Sequence, residues 1–396
     1  MPETLTFEAL KQAVEGSAAA FRCRTQLQPA GGEGDKVFPP TYAGAVYATE
    51  KRRLPGREEP VDCVLLDSVQ SQANRMEEAL QQAVDEGRLK IPVIEVDFTG
   101  YDLLTEIGRI TSLQAPHRIA DAILRDSLYD DQPFRQSEIG AKIDSVSLAN
   151  ATPLYELCPT ALVFGIWDST GPKGGLGAKF ARAMVSEIIG LDVVLGVKTS
   201  SRIDPLQIRA AVKVAKMKDG SWEIVEGSKG IAPSEVNHGN IPPDISETAG
   251  GVTISGAEQM VVLSLPALRR LHFPVNGSTP RPETDAAGRT ALAALGLCAA
   301  CLAAEKGFDL RSRCLLWPVE GLTWEILDNP GIEPSTFSMD TDSALELLQK
   351  AVESAKRVNL IWREEPLRLT PAPRLVDLVK KSQELTAKVG EAGGDE

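Results

Sequence analysis

Three histidines, five tryptophans and five tyrosines in 396 residues leave this chain poor in the side chains that most often move protons or stack on flat ligands. His117, His238 and His272 stand far apart, no Gly-x-Ser-x-Gly elbow occurs, and no serine, histidine and aspartate set can be nominated. Positive charge is in deficit too: 42 Lys and Arg against 55 Asp and Glu give a net charge of −13. Indiscriminate coating of nucleic acid draws its affinity from neutralised phosphates, so the overall balance argues against it. No run approaches the roughly 20 uninterrupted apolar residues of a spanning helix. The start, MPETLTFEALKQ, lacks both the basic and the apolar part of a signal peptide, and we expect a cytoplasmic protein.

Six cysteines in a chain of this length, with no export signal, are expected to be reduced thiols. Cys298-x-x-Cys301 falls in an apolar helical run with only Cys314 close by and no histidine, whereas a structural zinc needs four ligands. Core packing is the reading there, with no metal and no cofactor expected. The loop motif Gly-x-x-x-x-Gly-Lys-Ser/Thr is also missing: Ala178, Lys179 and Phe180 follow Gly177, which argues against a nucleoside triphosphatase.

What is present is a sequence with 43% hydrophobic residues, enough for a sizeable core. We read residues 1–372 as one elaborated domain and 373–396 as a C-terminal helix with a disordered acidic tail. Periodicity predicts a helix over Thr6–Phe21, then a strand in FRCRTQLQ with Phe21, Cys23, Thr25 and Leu27 on one face. YAGAVYAT, VDCVLLD, IPVIEVDF and ALVFGIW read as strands, EKRRLPGREEP as a charged loop, and Gln70–Glu86 and Pro116–Arg125 as helices. KFARAMVSEII reads as a helix with Phe180, Met184 and Ile188 on one face. AAVKVAKM and SWEIVE bracket Asp219-Gly220 as a hairpin. Asn237–Gly251 is too rich in Pro and Gly for regular structure and is expected to form a projecting loop. MVVLSLPALRRLHFP follows as strand and short helix, then a buried helix over Ala286–Lys306, the strands RCLLWP and LTWEIL, and helices over Ser343–Lys356 and Leu375–Lys388. Short strands mixed with helices, without strict alternation, define an α+β class with large insertions.

Charge is unevenly spread. Nine basic residues against three acidic ones between Lys173 and Lys218 form a basic strip that could meet a polyanion. In DSVQSQANRMEEAL, Gln70, Gln72, Asn74 and Arg75 crowd the start of a helix, where free N–H groups and the dipole favour a phosphate; a plain cap by Asp67 or Ser68 explains the same residues. In STGPKGGLGAKFAR a flexible glycine loop lies beside Lys173, Lys179 and Arg182. The SSRIDP turn adds Ser200 and Arg202. Asp168 is a lone carboxylate with no partner at readable spacing, a weak candidate for metal or base chemistry.

The strings DSVQSQANRME, PTALVFGIWDSTG, KFARAMVSEIIG and SRIDP, with PHRIADAILRDS and AGRTALAALGL, resemble the GSU-type RAMP-superfamily backbone subunits of type I-G (formerly I-U) CRISPR systems, over about Val61 to Pro318. The resemblance implies a hand-shaped subunit on a modified RRM-like, ferredoxin-type palm, stacked in copies along a CRISPR RNA within a Cascade complex. It implies no catalysis, with other subunits as partners and a target DNA strand recognised through guide pairing. RNA contact then falls on Gln70, Gln72, Asn74, Arg75, Lys173, Lys179, Arg182, Ser200 and Arg202. Candidates for the thumb are the Lys213–Glu226 hairpin and the Pro242–Gly251 flap. The aromatics of ordinary RRM sheets are not evident. Alternatives are a type III-like subunit cutting RNA with Asp168, a guide-RNA-processing endonuclease, and a cytosolic enzyme for a phosphorylated small molecule.

Overall fold

A computed structural model describes residues 3–171, 177–217, 220–227, 230–275, 277 and 279–391. Its main sheet grows from the strand Ala20–Pro29, whose strict alternation buries Phe21, Cys23, Thr25 and Leu27 and turns Arg24, Gln26 and Gln28 outward. On one side it pairs with Gly256–Ser264, then Met184–Leu191, Val61–Asp67 and Thr49–Arg52. On the other side Cys314–Pro318 and Thr323–Leu327 share its two ends. Phe308–Arg311 and Ser335–Ser338 complete nine strands, antiparallel throughout. Antiparallel order lets one face pack on a core while the other is solvated.

The core face carries the helices Phe7–Glu15, Val69–Asp85, Pro282–Ala304 and Thr341–Arg357. Pro282–Ala304 is at the centre. By length and composition it could cross a bilayer, yet its most apolar window is 83% buried inside the fold. Gly288 and Gly296 permit that approach, one facing the Phe273 ring and the other Met184 and Val163. All six cysteines are buried and unpaired. Burial pushes the Cys298 thiol up to about 12 and that of Cys23 up to about 11, which suits packing groups rather than ligands.

A second sheet of five strands places Leu367–Pro371 parallel to Ile94–Asp97, so a strand close to the C-terminus joins one layer with strands from residues 94–133. The following helix, Pro373–Glu391, is held by Arg374 to Asp126, Lys380 to Asp102 and Gln383 to Thr105.

Several expectations fail for identifiable reasons. ALVF is the helix Thr160–Phe164, stopped by Gly165 at φ +85°, and only Ile166–Trp167 is extended. KFARAMVSEII is not a helix: Lys179–Phe180 is a short strand and Met184 starts the longer strand Met184–Leu191. Apolar residues four apart satisfy the period of a strand as well as that of a helix, so Phe180, Met184 and Ile188 were ambiguous. The unit is therefore helix, loop and strand, the reverse of a phosphate-binding strand, loop and helix.

YAGAVYAT breaks at Gly44 and Ala45 into a small hairpin. The charged segment after it supplies the edge strand Thr49–Arg52, its charges paired in Lys51–Asp62 and Arg52–Glu187. The first helix ends at Glu15, before Gly16. Pro116–Arg125 divides into a short 3₁₀ turn and the helix Ala122–Arg125, because Arg118 is left-handed at φ +53° and Asp121 caps the second piece.

Candidate nucleic-acid interface

The glycine-rich segment leaves a two-stranded stem, Ile166–Trp167 paired with Lys179–Phe180 and extended by Asp168 N donating to Ala178 O at 2.8 Å. The stem is anchored below. Asp168, 2% exposed, accepts from Arg135 Nη2 at 2.8 Å, and Arg135 also pairs with Asp144. Arg125 Nη1 donates to Thr170 Oγ1 at 3.0 Å. Gly165 has room for no side chain, since a Cβ would lie 3.0–3.1 Å from Arg182 and Phe180. Its carbonyl accepts from Arg118 Nη1 at 3.1 Å.

Arg118 is itself buried in a bidentate pair with Glu77, both bonds 2.7 Å. Burial pushes the Glu77 carboxyl up, and the Arg118 charge opposes it. A pair sealed in this way fixes geometry more than it adds stability.

Over this floor opens a groove of about 1010 Å³ between the stem, the N-terminal part of the helix Val69–Asp85 and the segment Ala267–Leu271. Its walls carry Gln70, Asn74, His117, Lys179, Arg182 and Arg270, and among the described residues none of its lining is acidic. In a chain of net charge −13 that local exclusion of carboxylates is a directed feature. Oriented amide, guanidinium and ammonium groups without competing anions suit a phosphate backbone.

The nine sequence candidates divide. Gln70, Asn74, Lys179 and Arg182 come together in the groove. Gln72 does not: at 2% exposure it donates to Asp67 at 2.7 Å and accepts from Ser186 and Gln259, each at 2.8 Å. Arg75 is also spent internally, on Asp67 at 3.0 Å and on the carbonyls of Asp309 and Leu310. Residues two or five apart on a helix face different sides, so a polar cluster in sequence is split in space. Ser68 is the cap, accepting from Ser71 N, while Asp67 faces Gln72, Arg75 and Arg311. Lys173 lies outside the described residues.

Ser200 and Arg202 belong to a different region, residues 192–255, which leave the sheet after Leu191 and return at Gly256. Here Lys198–Arg202 pairs with Ile241–Ser246, and Lys213–Lys216 with Trp222–Val225 as the hairpin reading expected. The expected Pro-rich loop is thus a strand of this arm, its prolines tolerated because the pair has free edges. Arg202 donates twice to Gly239 O, at 3.0 and 2.7 Å, and Asp204 accepts from the backbone of Leu206, Ile208 and Gly239. Arg202 therefore holds the arm together. Both thumb candidates lie on this one arm.

The basic strip is not one surface, since Lys179 and Arg182 are in the groove and Lys198, Arg202, Arg209, Lys213 and Lys216 are on the arm. Of the histidines, His117 lines the groove, His238 meets the Trp222 ring, and His272 pairs with Asp285. Sequence reasoning missed Arg270 and Trp167 as groove residues. The pair Arg269-Arg270 was a visible signal for the first; an indole at the mouth of a glycine loop was one for the second. Asp168, sealed against Arg135, has no open face toward solvent, and among the described residues no three His, Cys, Asp or Glu side chains cluster to hold a metal.

With this geometry in view, residues 21–195 match the model of a family of CRISPR-associated proteins. That family is described as CRISPR-associated protein GSU0053 (Cas_GSU0053), and over those residues, less than half of the chain, the sequence is similar to it. The match takes in the stem and most of the groove and ends where the arm begins, so the SRIDP and AGRTALAALGL strings lie beyond it. No curated protein matches the sequence.

Proposed function

We propose that the chain is a non-catalytic, CRISPR RNA-binding backbone subunit of a type I-G Cascade surveillance complex. Copies stack along the guide in the cytoplasm beside other subunits, and guide pairing recognises the target DNA strand. In this reading the main sheet and its helices are the modified RRM-like palm. The groove follows the RNA backbone, and the arm of residues 192–255 is the thumb that reaches the next copy.

The observation that carries the reading is the cationic groove, without a carboxylate among its described lining residues, built mostly from the part of an acidic chain that matches the CRISPR-associated family. A polyanion tracked along one groove needs cations only there, and acidity elsewhere limits non-specific association. The arm supplies a reason to oligomerise. Ile203, Leu206 and Ile224 are 88%, 70% and 72% exposed, apolar side chains that a neighbouring copy would cover in this reading.

The test is co-expression with a CRISPR array transcript, followed by the 260 to 280 nm absorbance ratio and the mass distribution of the purified protein. The wild type is expected as RNA-bound multimers and the Lys179→Ala, Arg182→Ala, Arg270→Ala variant as RNA-free protein. An RNA-free wild-type monomer, even with its partner subunits present, overturns the reading.

A further inference from the structure

Trp167 is 59% exposed although it stands at the mouth of a groove whose floor is buried. An indole carries a large apolar face with one polar handle, and exposure of such a ring marks a binding position more often than a packing one. The backbone that carries the ring is held in place. Its residue is paired with Lys179, the next residue is sealed to Arg135, and Thr170 is tied to Arg125. Lys179 Nζ stands over the ring, 5.0 Å from its centroid, within cation–π range. The other two exposed indoles have different settings, Trp222 against His238 on the arm and Trp317 against Gly307.

An exposed aromatic face on a fixed backbone, beside cations and in a groove with no acidic residue among its described lining, complements a nucleobase and its flanking phosphates together. We propose that Trp167 is a stacking platform for an unstacked base of a single-stranded RNA lying in the groove. The inference rests on the groove being an RNA interface, as given under Proposed function. It makes the site selective for single strands, because bases in an A-form duplex are stacked inside and its deep groove admits no side chain. It also makes the site tolerant of sequence, since every base offers a π face.

The full chain would be titrated with fluorescein-labelled oligouridylate and oligoadenylate and with an RNA duplex of equal length. Trp167→Ala, Trp167→Phe and Arg182→Ala would be compared at several salt concentrations, with melting temperature as the folding control. Trp167→Ala is expected to weaken single-strand binding roughly 5- to 150-fold with an unchanged salt slope, and Trp167→Phe to restore most of it. Arg182→Ala instead lowers the slope by about 0.7. Oligoadenylate should quench a part of the tryptophan emission that is missing in Trp167→Phe. If the wild type binds single strands and Trp167→Ala binds them equally well, or if no quenching is assigned to Trp167, the stacking inference falls and the groove reading stands. If the wild type binds no single strand, both fall. A protein-docking role for Trp167 predicts the first of these outcomes.

Discussion

The groove and the arm are built on opposite chemistry. The groove gathers cations and amides and no carboxylate on a floor fixed by two buried ion pairs, Glu77–Arg118 and Asp168–Arg135. The arm carries seven basic and eight acidic residues between positions 192 and 255, so it is nearly neutral, and it presents Ile203, Leu206 and Ile224 to solvent. Its strands pair with one another, and it is attached at its base by the Val37–Val252 bridge and by Tyr47 Oη accepting from Gly251 N. A charged, preorganised cleft suits a polyanion, and a neutral apolar arm suits protein. In the proposed reading, ligand binding and assembly fall on two different kinds of surface.

The largest way to break this comparison is at the groove floor. Glu77→Ala leaves the Arg118 guanidinium buried and unpaired, a loss expected to cost about 3–5 kcal/mol, read as a fall in denaturation midpoint. An equal loss from an arm substitution would contradict the division. Next is the ligand side. Removing Lys179, Arg182 and Arg270 together should lower the salt slope of single-strand RNA binding by about 2, at about 0.7 for each phosphate contact. The mass of the RNA-free protein should not change.

The converse variant sharpens the contrast: Ile203→Asp, Leu206→Asp and Ile224→Asp should abolish multimers on RNA, measured by mass distribution. The melting temperature should move little, as exposed substitutions usually leave stability within about 0.5 kcal/mol. Short single strands should still bind the monomer.

The smallest expected effect is on acidification of the arm. Burial would raise the Asp204 carboxyl, but the N–H groups of Leu206, Ile208 and Gly239 hold it below its ordinary 3.8. A group with a depressed folded value stabilises above its unfolded value, and that stabilisation is lost as pH falls through the folded value. Pepsin digestion should therefore open residues 204–240 faster as pH drops below 3.8, before the main sheet unfolds. Asp204→Asn should expose the same segment at neutral pH to a neutral protease; unchanged cleavage would remove Asp204 as the organiser of the arm.

Legibility in the sequence followed the uniqueness of each local signal. Ala20–Pro29 was readable because strict alternation has one solution, and Pro282–Ala304 because a long apolar run with few charges must be interior. Met184–Leu191 was misread because spacings of four fit two periods, and Thr49–Arg52 because charges on an edge strand look like a loop. The site followed the same rule. Lys179 and Arg182 were picked out beside a glycine loop, where exposure could be inferred, and both line the groove. Gln72 and Arg75 were overvalued because their partners, Gln259 and the carbonyls of Asp309 and Leu310, lie more than 180 residues away.

The mixed α+β class, the buried central helix and the packing of the cysteines were legible in the sequence alone. Each rests on short-range period or composition, and none needs knowledge of distant neighbours. Only the tertiary structure decided which polar side chains are free, because that depends on what long-range pairing brings against them. It turned Asp168 and Arg75 inward, brought Arg270 to Arg182, and left Trp167 in solvent at the entrance of the groove.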